Sequence, residues 1–161
     1  IKMKRIITIK NLYIFICLLS LFSILSALYI EYVLGAMPCK LCIYQRIPYL
    51  LAIFISIIGY FFLDQKLWLY IILLIFFSSF ILAGYHSGIE NGIFAEFKGC
   101  NSDNINLLNK EQILNSFDEI MPNCKDVKFR ILGFSLATIN MFISLIIIII
   151  SVFLIRNYEN K

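Results

Sequence analysis

The chain's 161 residues are 61% hydrophobic and only 15% charged, a balance that excludes an ordinary soluble domain and points to a lipid bilayer. The net charge of +4 does not indicate a nucleic-acid partner, because its distribution encodes orientation. Lys2, Lys4, Arg5 and Lys10 precede the first apolar run without an intervening acid, and Arg156 and Lys161 follow the last, so the positive-inside rule places both termini in the cytoplasm.

Apolar runs predict membrane spans over about 12–34, 44–63, 67–85 and 131–155, each near the ~20 residues needed to cross a hydrocarbon core. The expected fold is an all-α membrane protein, a four-transmembrane-helix bundle forming one domain over 1–161. Loops over about 35–43 and 86–130 then face the compartment opposite the termini, the second with seven acids against five bases. The first apolar run, 23 residues long, exceeds a signal-peptide core of roughly 7–15 residues and reads as a retained helix.

In the first span Cys17 reads as a small packing residue, and Glu31 lies close enough to the outer end to reach water. Pro38 has no amide hydrogen and biases Met37 away from helical angles, so Gly35-Ala36-Met37-Pro38 ends that helix. Cys39-Lys40-Leu41-Cys42 follows immediately. If the next helix starts near Leu41, Cys42 occupies its first turn, where free amide hydrogens and the helix dipole favour an anion. Arg46, four residues on, lies one turn away on the same face.

The short connection Asp64-Gln65-Lys66 makes spans two and three antiparallel neighbours, with Trp68 and Tyr70 suited to an interfacial belt. Span three ends in Gly84-Tyr85-His86-Ser87-Gly88-Ile89-Glu90, which carries the only histidine. That residue reads either as a polar helix end or as a proton-handling group. Between Cys100 and Cys124, Leu107, Ile113, Leu114, Phe117, Ile120 and Met121 share one face at helical spacing, predicting a short amphipathic helix in the second loop. In the last span Asn140 is expected to face other helices.

Cys39, Cys42, Cys100 and Cys124 all fall outside the predicted cytoplasmic side, where disulfides persist. A zinc ribbon requires two close pairs, and 23 residues without a histidine separate Cys100 from Cys124, so no metal site is expected. A staple between Cys100 and Cys124 would restrain that loop, but it does not account for a Cys-x-x-Cys at a membrane boundary, which has redox spacing. Thiol–disulfide exchange does account for it. A pair at the hydrocarbon edge can pass two electrons to an apolar acceptor diffusing in the membrane, and a quinone meets that requirement.

At these residues the chain resembles the DsbB family of disulfide-bond-formation proteins. Pro38-Cys39-Lys40-Leu41-Cys42-Ile43-Tyr44-Gln45-Arg46 is similar to the family's P-C-x-L-C-x-x-x-R signature. Gly84 to Glu90, the Cys100 and Cys124 pair, and Leu132-Gly133-Phe134-Ser135 match further features in order. The resemblance implies a bacterial inner-membrane enzyme that reoxidises a periplasmic thioredoxin-fold DsbA-type partner and reduces a membrane quinone, ubiquinone or menaquinone. It further implies that Cys100 forms the mixed disulfide, that Cys124 resolves it and exchanges with Cys39, and that Cys42 meets the quinone beside Arg46 and His86. Gln45 stands where many members carry an acid. The alternatives are a paralogue dedicated to one partner, a vitamin K epoxide reductase-like enzyme, in which the Cys-x-x-Cys would come late in the bundle, and a disulfide-stapled scaffold.

Overall fold

Backbone amides in a bilayer have no water to bond, so long apolar runs satisfy them internally as helices. The computed structural model describes residues 2–62, 65–95, 123–125, 129–131 and 133–159. In chain order these form α1 (Lys2–Tyr32), α2 (Lys40–Tyr44), α3 (Arg46–Phe61), α4 (Gln65–Glu90), β1 (Arg130–Ile131), β2 (Phe134–Ser135) and α5 (Leu136–Glu159). Four segments are long and apolar enough to cross a membrane: Ile9–Tyr32, Lys40–Phe61, Lys66–Glu90 and Leu136–Asn157. The chain is thus an all-α, four-helix membrane protein. The amphipathic helix expected in the second loop, and Cys100, lie outside the described residues.

Three of the boundaries that differ from the sequence expectation have a local reason. The second span begins at Lys40, capped by Cys39. The third runs through His86 to Glu90 and closes only at Gly92, whose φ of 72° is the left-handed conformation of a helix stop. There the Ile93 amide donates to the Gly88 carbonyl at 2.8 Å and the Gly92 amide to Ile89 at 3.0 Å, the paired bonds of a Schellman end. The fourth starts at Leu136 because residues around Gly133 form a hairpin, with Arg130 opposite Ser135 and Ile131 opposite Phe134. Ser135 Oγ then accepts from the Thr138 amide at 3.1 Å, an N-cap that fixes the helix start.

The helices alternate in direction. Ile9, Tyr13 and Ile16 of α1 share one buried cluster with Leu69, Ile72 and Phe76 early in α4 and Ile147 and Ile155 late in α5. Neighbours in the bundle are α1 with α3, α3 with α4, and α4 with α5. Small residues let these backbones approach: a Cβ on Gly59 would stand 2.9 Å from Tyr13 Cζ and 3.0 Å from Trp68 Cβ. Large apolar side chains such as Phe22, Phe54, Leu74 and Phe153 face outward, as a lipid-facing surface requires. A second buried cluster, at the opposite end, contains Cys39, Leu41, Ile89 and Cys124.

Candidate functional site

The site begins with a helix interrupted twice by proline. Pro38 keeps the chain extended into Cys39, which caps α2 with φ −75° and ψ 168° and accepts at Sγ from the Cys42 amide, 3.3 Å away. Pro48, in the first turn of α3, cannot donate to the carbonyl four residues back. The resulting break falls at Gln45, the single residue between α2 and α3. One turn of helix thus holds both sulfurs, and Gln45 is turned into the bundle, 8% exposed.

Cys39 and Cys42 carry free thiols whose sulfurs stand 2.8 Å apart, close to the ~2.05 Å of a disulfide bond. His86 comes to the same place from α4, with Nε2 3.6 Å from Cys39 Sγ. The Cys39 thiol is pulled down to about 4. Hydrogen bonding from Cys42 is the largest cause; burial opposes it, and His86 lowers the value further through its hydrogen bond and its charge when protonated. A thiolate stabilised by its own partner thiol is poised for exchange.

Sequence spacing places Arg46 on the face of Cys42. In the folded chain its Nη1 lies 2.6 Å from Glu31 Oε2 on α1, both side chains about one-fifth exposed. Glu31, read as an interfacial residue, therefore ties α1 to α3 beside the cysteines. His86 Nε2 also lies 3.6 Å from Glu90 Oε1. Its Nδ1 meets Gln45 Nε2 at 2.9 Å. Gln45 Oε1 accepts from Asn140 Nδ2 at 2.9 Å, and Asn140 Oδ1 accepts from the Tyr49 hydroxyl at 2.5 Å. Sequence reasoning placed Asn140 inside the bundle but did not connect it to the cysteines. Tyr49 gave no sequence signal beyond its place in a span.

Cys124 is disulfide-bonded and buried against Cys39, Leu41 and Ile89, which brings the second loop onto the Cys-x-x-Cys. Cys17 is a half-buried free thiol on α1, away from this cluster. The sulfurs of Cys39 and Cys42 and a ring nitrogen of His86 lie within 4.8 Å of one another, so His86 completes in space a soft-donor triad that the spacing did not suggest. A disulfide and a bound metal are mutually exclusive uses of those sulfurs.

A cavity of about 360 Å³ opens beside the pair, walled by Leu19, Phe22 and Ile30 of α1 and Ile139 and Ile143 of α5. Its polar end carries Cys39, Cys42, Arg46, His86 and Asn123. The Asn123 Oδ1 atom is buried with no hydrogen-bond partner among the described residues. Apolar walls with a few converging polar groups suit a flat, apolar ligand with oxygen atoms at one end. A quinone ring fits that description: Arg46 and the Asn123 amide nitrogen would be donors to its carbonyl oxygens, and Asn123 Oδ1 would be an acceptor for the hydroxyl of the reduced form.

Two comparisons with known proteins bear on this arrangement. The family model "Disulfide bond formation protein DsbB" matches residues 9–154. An uncharacterized protein of Rickettsia prowazekii (strain Madrid E) is 29% identical over 146 residues, covering 87% of this chain and 84% of the relative. The chain belongs to the DsbB family, and with four membrane-spanning helices it is a multi-pass membrane protein of disulfide-bond formation.

Proposed function

We propose that this DsbB-family chain is a thiol:quinone oxidoreductase of the bacterial inner membrane. It reoxidises a periplasmic, thioredoxin-fold partner of the DsbA type, with its termini in the cytoplasm and its redox cysteines on the periplasmic side. The observation that carries this reading is the Cys39–Cys42 pair, with sulfurs 2.8 Å apart, at the polar end of an otherwise apolar cavity.

The electron bookkeeping closes in three exchanges. The partner's dithiol attacks a disulfide between Cys100 and Cys124, leaving the partner oxidised and this pair as two thiols. Cys124 and Cys100 then reduce the Cys39–Cys42 disulfide, regenerating their own. Finally Cys39 and Cys42 lose two electrons and two protons as their S–S bond forms, and a quinone, ubiquinone or menaquinone, supplies the two-electron acceptor that becomes quinol. Support for the second exchange comes from the burial of Cys124 in the same cluster as Cys39. In this scheme Cys42 faces the acceptor, Arg46 and His86 hold it at the polar end of the cavity, and the low-pKa Cys39 exchanges with the second pair.

The full chain in lipid, supplied with a reduced thioredoxin-fold dithiol protein and a quinone, is expected to consume quinone. Cys42→Ser and Cys100→Ser each abolish turnover in this account. Wild-type rates in both variants would rule out a two-pair relay.

A further inference from the structure

A neutral imidazole carries one N–H, so one ring nitrogen donates and the other accepts, and its neighbours decide which. Around His86 a chain of amides on one side of the ring and the Glu90 carboxylate on the other decide together. The Tyr49 hydroxyl donates to Asn140 Oδ1 at 2.5 Å, and Asn140 Nδ2 donates to Gln45 Oε1, 2.9 Å away. With Oε1 so engaged, Gln45 presents Nε2 to His86 Nδ1 at 2.9 Å. An amide nitrogen only donates, so Nδ1 is the acceptor and the proton resides on Nε2.

The other side of the ring agrees with this direction. Nε2 faces Cys39 Sγ at 3.6 Å and Glu90 Oε1 at 3.6 Å. A lone pair on Nε2 would face a carboxylate and a sulfur, whereas an N–H there meets two acceptors. Both amides turned over together would reverse the chain and put the proton on Nδ1; the Glu90 carboxylate beside Nε2 disfavours that arrangement.

We propose that Gln45, Asn140 and Tyr49 are positioning residues for dithiol oxidation: their aligned hydrogen bonds hold His86 in the Nε2–H tautomer, so that it donates to the Cys39 sulfur. The proposal rests on the relay reading above. It also assigns a consequence to Gln45. A carboxylate at this position would accept from Nδ1–H and favour a doubly protonated ring, whereas the amide, fixed by Asn140, keeps the ring a neutral donor. The ring then donates from Nε2 to a thiolate at Cys39.

His86 is the only histidine in the chain, so 15N-histidine labelling of the reduced protein in lipid, without quinone, yields ring-nitrogen signals from this residue alone. The wild type is expected to show a protonated Nε2 and a bare Nδ1. Gln45→Glu is expected to protonate both nitrogens. In Asn140→Asp the donor to Gln45 Oε1 is lost, Gln45 turns its amide over, and the proton moves to Nδ1. Tyr49→Phe, which keeps the ring and its packing, is expected to give a mixture of tautomers.

In a single turnover with excess quinone, Asn140→Asp slows disulfide formation by about tenfold to a hundredfold, the loss of one hydrogen bond to a charged sulfur. An Nδ1–H ring in the wild type, or an unchanged ring in all three variants, overturns the proposal. Because the tautomer is read without quinone, a wild-type protein with the Nε2–H ring that does not react with quinone contradicts the functional reading and leaves the tautomer assignment standing.

Discussion

The most consequential single residue is Cys39, since its thiol is pulled from the ordinary 9.0 to about 4. The sign follows from the direction. A depressed folded-state value stabilises the reduced chain fully above the ordinary thiol pKa; that stabilisation shrinks as pH falls and is gone below the folded value. Favouring the dithiol form in this way also makes the Cys39–Cys42 disulfide more oxidising. Alkylation of Cys39 in the reduced protein is therefore expected to stay fast at pH 6. His86→Ala is expected to move the Cys39 profile upward. A Cys39 midpoint between pH 8 and 9 in the wild type would contradict the acidified thiol.

The cysteine pair was legible in the sequence because its type and spacing carry redox chemistry, whereas His86 was drawn to it only by the family resemblance. The path Gln45, Asn140, Tyr49 was not legible. Gln45 and Asn140 are 95 positions apart, and no local pattern signals that two amides will meet inside a bundle. Glu31 was passed over for a related reason, since its partner Arg46 sits on another helix.

At the scale of elements, apolar run length gave the four helices correctly, because a bilayer leaves the backbone no alternative to internal hydrogen bonds. The ends were harder. Gly84 and Gly88 punctuate α4 in the sequence, yet the helix continues through both and stops at Gly92, where the left-handed φ of 72° permits the closing bonds. Continuing the helix is what carries His86 and Glu90 to the cysteines on one face. Gly59 plays a different part, since α1 and α4 both press against it. Gly59→Val is expected to cost about 1–3 kcal/mol through overpacking, read as a lowered thermal unfolding midpoint in detergent. An unchanged midpoint would mean that the α1–α3 approach tolerates a side chain.

For the whole molecule, one buried cluster near the start of α1 holds the four spans together, and a second, at the opposite end, gathers Cys39, Cys42 and Cys124 with His86 beside them. This division matches the charge pattern, which concentrates basic residues near both termini and leaves the connection over 86–130 with more acids than bases. The two clusters meet at Tyr49, a member of the first whose hydroxyl donates to Asn140, and the apolar cavity lies against the cysteine end. In the proposed function, Cys39 and Cys42 deliver their electrons directly to a membrane quinone. The most direct measurement mixes the fully reduced chain with excess quinone under anaerobic conditions, traps the remaining thiols with an alkylating reagent and maps the peptides. Cys39 and Cys42 are expected to become linked to each other while Cys17 stays alkylatable; Cys39 and Cys42 both remaining alkylatable would overturn direct transfer to the quinone.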